Sequence, residues 1–445
     1  MCPYSQPVEH RPPASYPPFH PMEPLAQPNR EQLSFAARLT ALWSRHGQRL
    51  LQVGIGLMIA AALWRLGLEL PRLIWGQGEF DAVDLIGRHT EVHLWFAELP
   101  VYGAVDDGDY PPASYTMLWP LLGWLDLTTV RYFWALITLA MLCWLAWLGL
   151  RESRATTAWE KVFIALMPFA LYPASAGIRV GQLATHVIPP LVMGLLLMQR
   201  SPQSSHRPAY WQLSGDIVAA AMVVFALVKP TVSAPFFWIV CFMPRRWRPF
   251  WLVSFGYLAA ALVATYFQDG NLLSLHSDWL THASTQLGTR GHANIHTWLE
   301  AVGLSDWMLL ASLLLLVATG IFTWRYRQVD PWILMGVAAL VSRFWTDHRM
   351  FDDLLIWVPM IALYRLAKIT PSERSIWGQP TPFIAAVLFT LNWFALMAPA
   401  RFLSNPLPLS SPLEIAIKAG HVIIWLTCLL FFGVLAHQQA VEEAT

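Results

Sequence analysis

PWILMGVAALVSRFWTDHRMFDDLLIWVPMIALY, residues 331–364, decides the fold class. Two apolar runs, PWILMGVAALV and LLIWVPMIALY, enclose a segment that carries Arg343, Asp347, His348, Arg349, Asp352 and Asp353. In a soluble domain that segment would be a surface loop. The rest of the chain argues otherwise. Its 445 residues are 56% hydrophobic and 13% charged, against about 25% charged in soluble domains, and the mean hydropathy is +0.44. An ionisable group inside a membrane costs about 2.5–3.5 kcal/mol even on the lenient insertion scale, and those that persist face a protein interior or a wet cavity. The chain therefore reads as an all-α polytopic membrane protein with charges gathered for a purpose.

Working outward, apolar runs long enough to cross or enter a bilayer fall at 50–74, 131–150, 162–177, 187–199, 214–228, 232–243, 249–267, 307–324, 331–344, 353–367, 382–399 and 415–436. SYTMLWPLLGWL at 114–125 is a further piece that dips into the membrane. Spans need about 20 apolar residues, so the expectation is a bundle of about 11–13 membrane helices, several of them short and broken. Trp and Phe, 24 and 23 in number, suit the interfacial belts of such a bundle. Residues 1–33 are proline-rich, without an apolar core, and read as a disordered tail. The membrane domain is expected over 34–438, with a second short tail at 439–445.

Basic residues set the expected orientation. They gather in alternate connections: RESRATTAWEK (151–161), QRSPQSSHRPAY (199–210), PRRWR (244–248), RYRQ (325–328) and RLAKITPSER (365–374), with Arg38, Arg45 and Arg49 ahead of the first span. The positive-inside rule places these and both termini in the cytoplasm of a cell (inner or plasma) membrane. Outer loops then fall at 76–113 and 268–306, and the charged segment 342–353 also faces outward.

Nearly all the chemically interesting side chains lie on that outer side. Asp81, Asp84, Arg88, His89 and Glu91 precede the acidic turn DDGDYPP, and Asp84 and Arg88 stand four apart, on one helix face. GIRVGQLATH (177–186) is a polar hinge, for which a capped turn is the plain reading. Lys229 sits before a proline in ALVKPTVSAP, where it either snorkels to the interface or meets an anion. His276, His282, His292 and His296 match no zinc spacing, so no metal site and no cofactor is expected, a divalent metal being left open. A net charge of +1 gives no sign of a nucleic-acid partner. The four cysteines are scattered and offer no disulfide framework.

An acidic residue past the first span, LPVY at 99–102, YPP at 110–112, Gly-Gln at 181–182, Lys-Pro-Thr at 229–231, Asn294-x-x-x-Trp-Leu and His348-Arg-x-Phe-Asp-Asp follow one another in order. Together, over residues 50–436, they resemble the GT-C superfamily of membrane glycosyltransferases. The resemblance is to family 87, the polyprenol-phosphate-mannose-dependent α-mannosyltransferases. One departure is ANIHTW (293–298), where relatives more often have an Asn-x-Ser pattern. The resemblance implies a GT-C-like bundle with an outward polar cavity. It also implies an inverting transferase that moves a sugar, mannose by this likeness, from a polyprenyl-phosphate donor to a glycan or glycolipid acceptor. A phosphate leaving group asks for cations, and an acceptor hydroxyl asks for a base. On that reading Asp84, or alternatively Asp81, is the base. Lys229, His348, Arg349 and Arg179 hold the donor phosphate. Tyr110, Gln182, Asp352 and Asp353 bind sugar or acceptor or orient the cations. The alternative is a secondary transporter or lipid flippase, since broken helices with charged hinges mark those too.

Overall fold

The computed structural model describes residues 35–105, 108–200, 209–244, 247–285, 293–370, 380–397 and 412–442. The tail 1–33, residues 371–379, His292 and 443–445 lie outside them. The chain divides into two compact units, Met1–Gly47 and Gln48–Thr445, and the site described below lies in the second.

Among the described residues the regular structure is helical and no strand occurs. In chain order the helices are α1 (Phe35–Trp75), α2 (Val83–Phe96), α3 (Pro112–Leu122), α4 (Leu127–Glu152), α5 (Ala158–Ala170), α6 (Tyr172–Val180), α7 (Ala184–Arg200) and α8 (Ala209–Ala226). They continue as α9 (Pro230–Cys241), α10 (Arg248–Thr265), α11 (Leu272–Thr285), α12 (Ile295–Ala301), α13 (Met308–Arg325), α14 (Pro331–Phe344), α15 (Trp357–Ala367), α16 (Thr381–Met397) and α17 (Pro412–Glu442). A 3-10 turn, Met350–Ile356, stands between α14 and α15.

Local chemistry explains the starts. Asp126 Oδ1 accepts the Thr129 amide at 3.1 Å and begins α4. Thr157 and Glu160 form a capping box at α5, and Asp330 caps the Trp332 amide at 2.8 Å. These groups satisfy amides that a helix leaves orphaned. Proline opens α3, α9 and α14 at their first turns, where its missing N–H costs nothing. Proline also makes the breaks. Pro173 follows the extended Leu171 between α5 and α6, and Pro230 follows Lys229 between α8 and α9. The runs expected at 214–228 and 232–243 are therefore consecutive half-helices, and the single run expected at 162–177 is itself broken at Leu171.

Among the described residues six helical stretches are long and apolar enough to cross a membrane, α5 and α6 together making one of them, and five shorter helices are apolar. Helices α14 and α15 bury nearly every side chain. Helices α1, α13 and α17 instead expose Leu63, Trp64, Leu314 and Leu430, the last 72% exposed. An outer ring of that kind suits hydrocarbon and would be a sticky patch in water. The molecule is a multi-pass, all-α membrane protein. Two expectations are refined. The segments read as outer loops contain the helices α2, α11 and α12, because their apolar residues are too few to span but enough for an amphipathic helix. The run expected at 353–367 begins as the 3-10 turn, and its α-helix starts only at Trp357.

Candidate active site

Two backbone features place the first half of the site. Helix α6 ends at Gly181, whose φ of +74° is left-handed. A Cβ there would lie 2.5 Å from the Leu85 Cβ on α2, so glycine is required both for the turn and for the approach of the two helices. The Ala82 amide, ahead of α2, donates to the Arg179 carbonyl at 2.8 Å. These contacts set Asp84, in the first turn of α2, beside Gln182. Gly181→Ala is expected to cost several kcal/mol from the left-handed penalty and the overlap combined. Thermal unfolding of the purified protein measures it, and an unchanged midpoint would mean that this junction is not tight.

Gln182 is the link. Its Nε2 donates to Asp84 Oδ2 at 2.8 Å. Its Oε1 accepts from Lys229 Nζ at 3.1 Å and from the Leu183 amide at 2.7 Å, so the amide's orientation is fixed by its partners. Lys229, at the α8/α9 break, also reaches Asp352 Oδ1 at 2.5 Å. An ammonium has three donors, and the described residues take two of them. Asp352 Oδ2 meets His348 Nδ1 at 3.0 Å, and His348 Nε2 faces the Thr231 carbonyl at 3.1 Å. A continuous chain thus runs Asp84–Gln182–Lys229–Asp352–His348. Four of its five members are buried, with Asp84 partly so.

The charges are not equivalent. Burial raises the Asp84 pKa above the ordinary carboxylate value, and Asp352 pushes the same way, against the pull of Arg88, Arg349 and Lys229. Burial also acts to raise Asp352, but Lys229 and His348 outweigh it and hold that carboxyl below its usual range. Two carboxylates in one site are therefore pushed apart. One is a fixed counter-ion, and the other is a more basic group, the arrangement that separates acid–base roles in enzyme sites.

The other expected residues fall around this chain. Arg349 is half-buried and near enough to influence Asp84. Tyr110 lies under the Arg88 guanidinium, whose Cζ is 4.2 Å from its ring centre. Arg88 itself turns to Glu91 at 2.8 Å and Asp109 at 3.2 Å, so the four-residue spacing to Asp84 is not what positions it. Asp81 is tied at 3.2 Å to Arg179 and at 3.1 Å to the Gly78 amide. Arg179 and Asp81 thus occupy each other at the rim, apart from the chain. Asp353 is fully buried, with Tyr172 and Arg343 as partners, on a different side of its turn from Asp352. Arg343 and Tyr172 were not foreseen as site residues, because Arg343 stands at the end of an apolar run like a helix terminus and Tyr172 lies inside the apolar run 162–177.

Among the described residues no group of three or more His, Cys, Asp or Glu side chains could hold a metal ion. The loop histidines are dispersed: His276 Nδ1 faces the Leu272 carbonyl at 2.7 Å, and His296 Nε2 faces Ser312 Oγ at 2.6 Å. Asn294, from the same loop, caps α12 through the Thr297 amide at 2.8 Å and approaches Asp347 at 3.5 Å.

Comparison with protein families matches residues 110–347, more than half of the chain, to glycosyltransferase family 87. The chain belongs to glycosyltransferase family 87. Comparison with curated proteins and with solved structures found no match. The matched region contains Tyr110, Arg179, Gln182, Lys229 and Arg343, and stops just before His348. This family 87 chain is thus a glycosyltransferase whose membrane helices bring a sugar donor and an acceptor to a bilayer.

Proposed function

We propose that this protein is an inverting glycosyltransferase that moves a sugar, mannose by family likeness, from a polyprenyl-phosphate donor to a glycan or glycolipid acceptor at the outer face of the cell membrane. The observation that carries the reading is Gln182, a single side chain that joins the carboxylate of Asp84 to the ammonium of Lys229. The acceptor hydroxyl gives its proton to Asp84 as its oxygen bonds to the anomeric carbon. The bond from that carbon to the phosphate oxygen breaks, and the phosphate leaves with the electron pair. Its charge is met by Lys229, through the remaining ammonium donor, and by Arg349, while His348, with both ring nitrogens engaged, holds Asp352 behind Lys229. Fixed cations aimed at developing charge stabilise the transition state without reorganising. Asp352 and Gln182 hold Lys229 in place for this, and Tyr110 offers a ring to the sugar.

A lipid-borne donor fits the surroundings. A cavity of about 440 Å³ beside the Lys229 break is lined by Leu227, Pro230, Phe237, Trp238, Tyr257 and Leu316, a wall for an isoprenoid rather than for a nucleotide. Lys229 would bring the phosphate to the mouth of that wall. Family membership favours a transferase over a transporter or flippase.

Two measurements test the reading. Undecaprenyl phosphate is expected to raise the thermal midpoint of the protein in nanodiscs, because a ligand that binds the folded state stabilises it. GDP and UDP are expected to leave it unchanged, and the reverse pattern would contradict a lipid donor. For orientation, cysteines at Val302 and Thr156, both exposed, are placed in a background without the native cysteines. Val302→Cys is expected to react with an impermeant reagent on intact cells, and Thr156→Cys only after lysis. Opposite labelling would overturn the outer-face placement.

A further inference from the structure

Next to Asp352 in the chain stands a second charged cluster that the proposed reaction does not use. Arg343, in the last turn of α14, is 0% exposed, and its Nη2 stands 2.5 Å from Asp353 Oδ1, itself 0% exposed. The Tyr172 hydroxyl, at the start of α6, donates to Asp353 Oδ2. The Arg343 guanidinium also lies over the Trp425 ring of α17, 5.5 Å from its centre. Nε and Nη1 of Arg343 find no hydrogen-bond partner among the described residues.

Such a pair is a poor device for stability. Desolvating two charges costs about as much as their attraction returns, and apolar residues of similar volume often do as well or better. The donors left unsatisfied add to the cost. What the pair does supply is direction. Asp352 and Asp353 are neighbours in a 3-10 turn, where successive side chains diverge by about 120°. Holding Asp353 toward Arg343 and Tyr172 leaves Asp352 facing Lys229 and His348. Tyr172 belongs to the helix that leads through Gly181 to Gln182, so the same carboxylate ties both arms that grip Lys229.

We propose that Arg343 is a positioning residue of the transferase, acting through Asp353 to fix the Met350–Ile356 turn so that Asp352 and Gln182 hold Lys229 against the donor phosphate. This rests on the function proposed above, in which Lys229 meets that phosphate. Arg343 touches neither donor nor acceptor.

The test is binding of undecaprenyl phosphate, with undecaprenol as the uncharged comparison, to the full chain in nanodiscs. In Arg343→Met/Asp353→Leu both charges go together, so no buried charge is orphaned. This double variant, in which only the Tyr172 hydroxyl loses its acceptor, is expected to fold with a thermal midpoint near wild type, yet to bind undecaprenyl phosphate at least tenfold more weakly, with undecaprenol unchanged. Arg343→Lys, which keeps the charge near Asp353, is expected to stay within a few fold of wild type. A folded double variant with wild-type phosphate affinity would overturn the proposal, and so would equal losses for both lipids, which a general packing defect would give. If the double variant does not fold, Asp353→Asn decides. It keeps the shape and the Tyr172 contact, and phosphate-selective weakening supports the role while wild-type affinity refutes it. Lys229→Met run in parallel separates the two readings. If Lys229→Met also binds undecaprenyl phosphate normally, the proposed function itself fails. If Lys229→Met is weakened while the Arg343 variants are not, only the positioning role falls.

Discussion

Asp84→Asn is expected to lower transfer by about 10²–10⁴-fold, the range that a general base contributes, while donor binding stays near wild type. Asparagine keeps the shape, and its side-chain carbonyl still accepts from Gln182 Nε2, the donor that Asp84 meets now. What it loses is the ability to take a proton. Asp81→Asn is expected to be far milder for transfer, because Asp81 spends its carboxylate on Arg179 and the Gly78 amide. The pH profile carries a second signature. A base works only when deprotonated, so activity falls as the pH drops through its pKa. Burial places the Asp84 pKa above that of an ordinary carboxyl, and the acid limb of the wild-type profile should therefore lie above the usual carboxylate range. Residual activity in Asp84→Asn should lack that limb. Near-normal turnover in Asp84→Asn would remove it as the base. A larger loss in Asp81→Asn would move the role there.

Lys229→Met is expected to weaken binding of a polyprenyl-phosphate donor by about 10–150-fold, corresponding to the roughly 1.5–3 kcal/mol of one charge-assisted hydrogen bond. Methionine is unbranched and fills the space of the lysine stem, so the loss reports the charge rather than a cavity. Asp352 keeps His348 as its partner in the variant, which limits the cost of the orphaned carboxylate. Lys229→Arg is expected to retain part of the affinity, since its charge remains but its fork does not match a site built for one ammonium. Wild-type donor affinity in Lys229→Met would return Lys229 to a side chain that merely reaches for the interface.

The helices were legible because each rests on signals local in sequence. Apolar runs gave the spans and Pro230 gave the break after Lys229, whereas the break ahead of Pro173 falls inside the run expected at 162–177 and shows only in the structure. The members of the site were legible for a related reason: charge is costly in this setting, so Lys229, His348 and Asp352 stood out wherever they fell. Their pairing was not. The four-residue spacing of Asp84 and Arg88 suggested a pair, but Arg88 goes to Glu91 one turn on and to Asp109 from a distant turn. Helix periodicity fixes a face, and tertiary neighbours then choose the rotamer. Asp352 and Asp353 looked interchangeable in sequence, yet opposite sides of one 3-10 turn give them Lys229 and Arg343 respectively. Arg343 was hidden because an arginine at the end of an apolar helix has the appearance of an interfacial anchor. Only its complete burial distinguishes it.

Two things define this enzyme: the sugar comes from a lipid phosphate, and Asp84 is needed to move it, both as proposed. The direct measurement uses purified protein in nanodiscs with a radiolabelled polyprenyl-phosphate mannose and the lipid extract of cells from which the gene has been deleted. Wild-type protein is expected to move label into a more polar glycolipid and release unlabelled polyprenyl phosphate in equal amount, and Asp84→Asn to do neither at a comparable rate. Transfer from GDP-mannose or UDP-glucose but not from the lipid donor, or equal transfer by Asp84→Asn, would contradict that proposal.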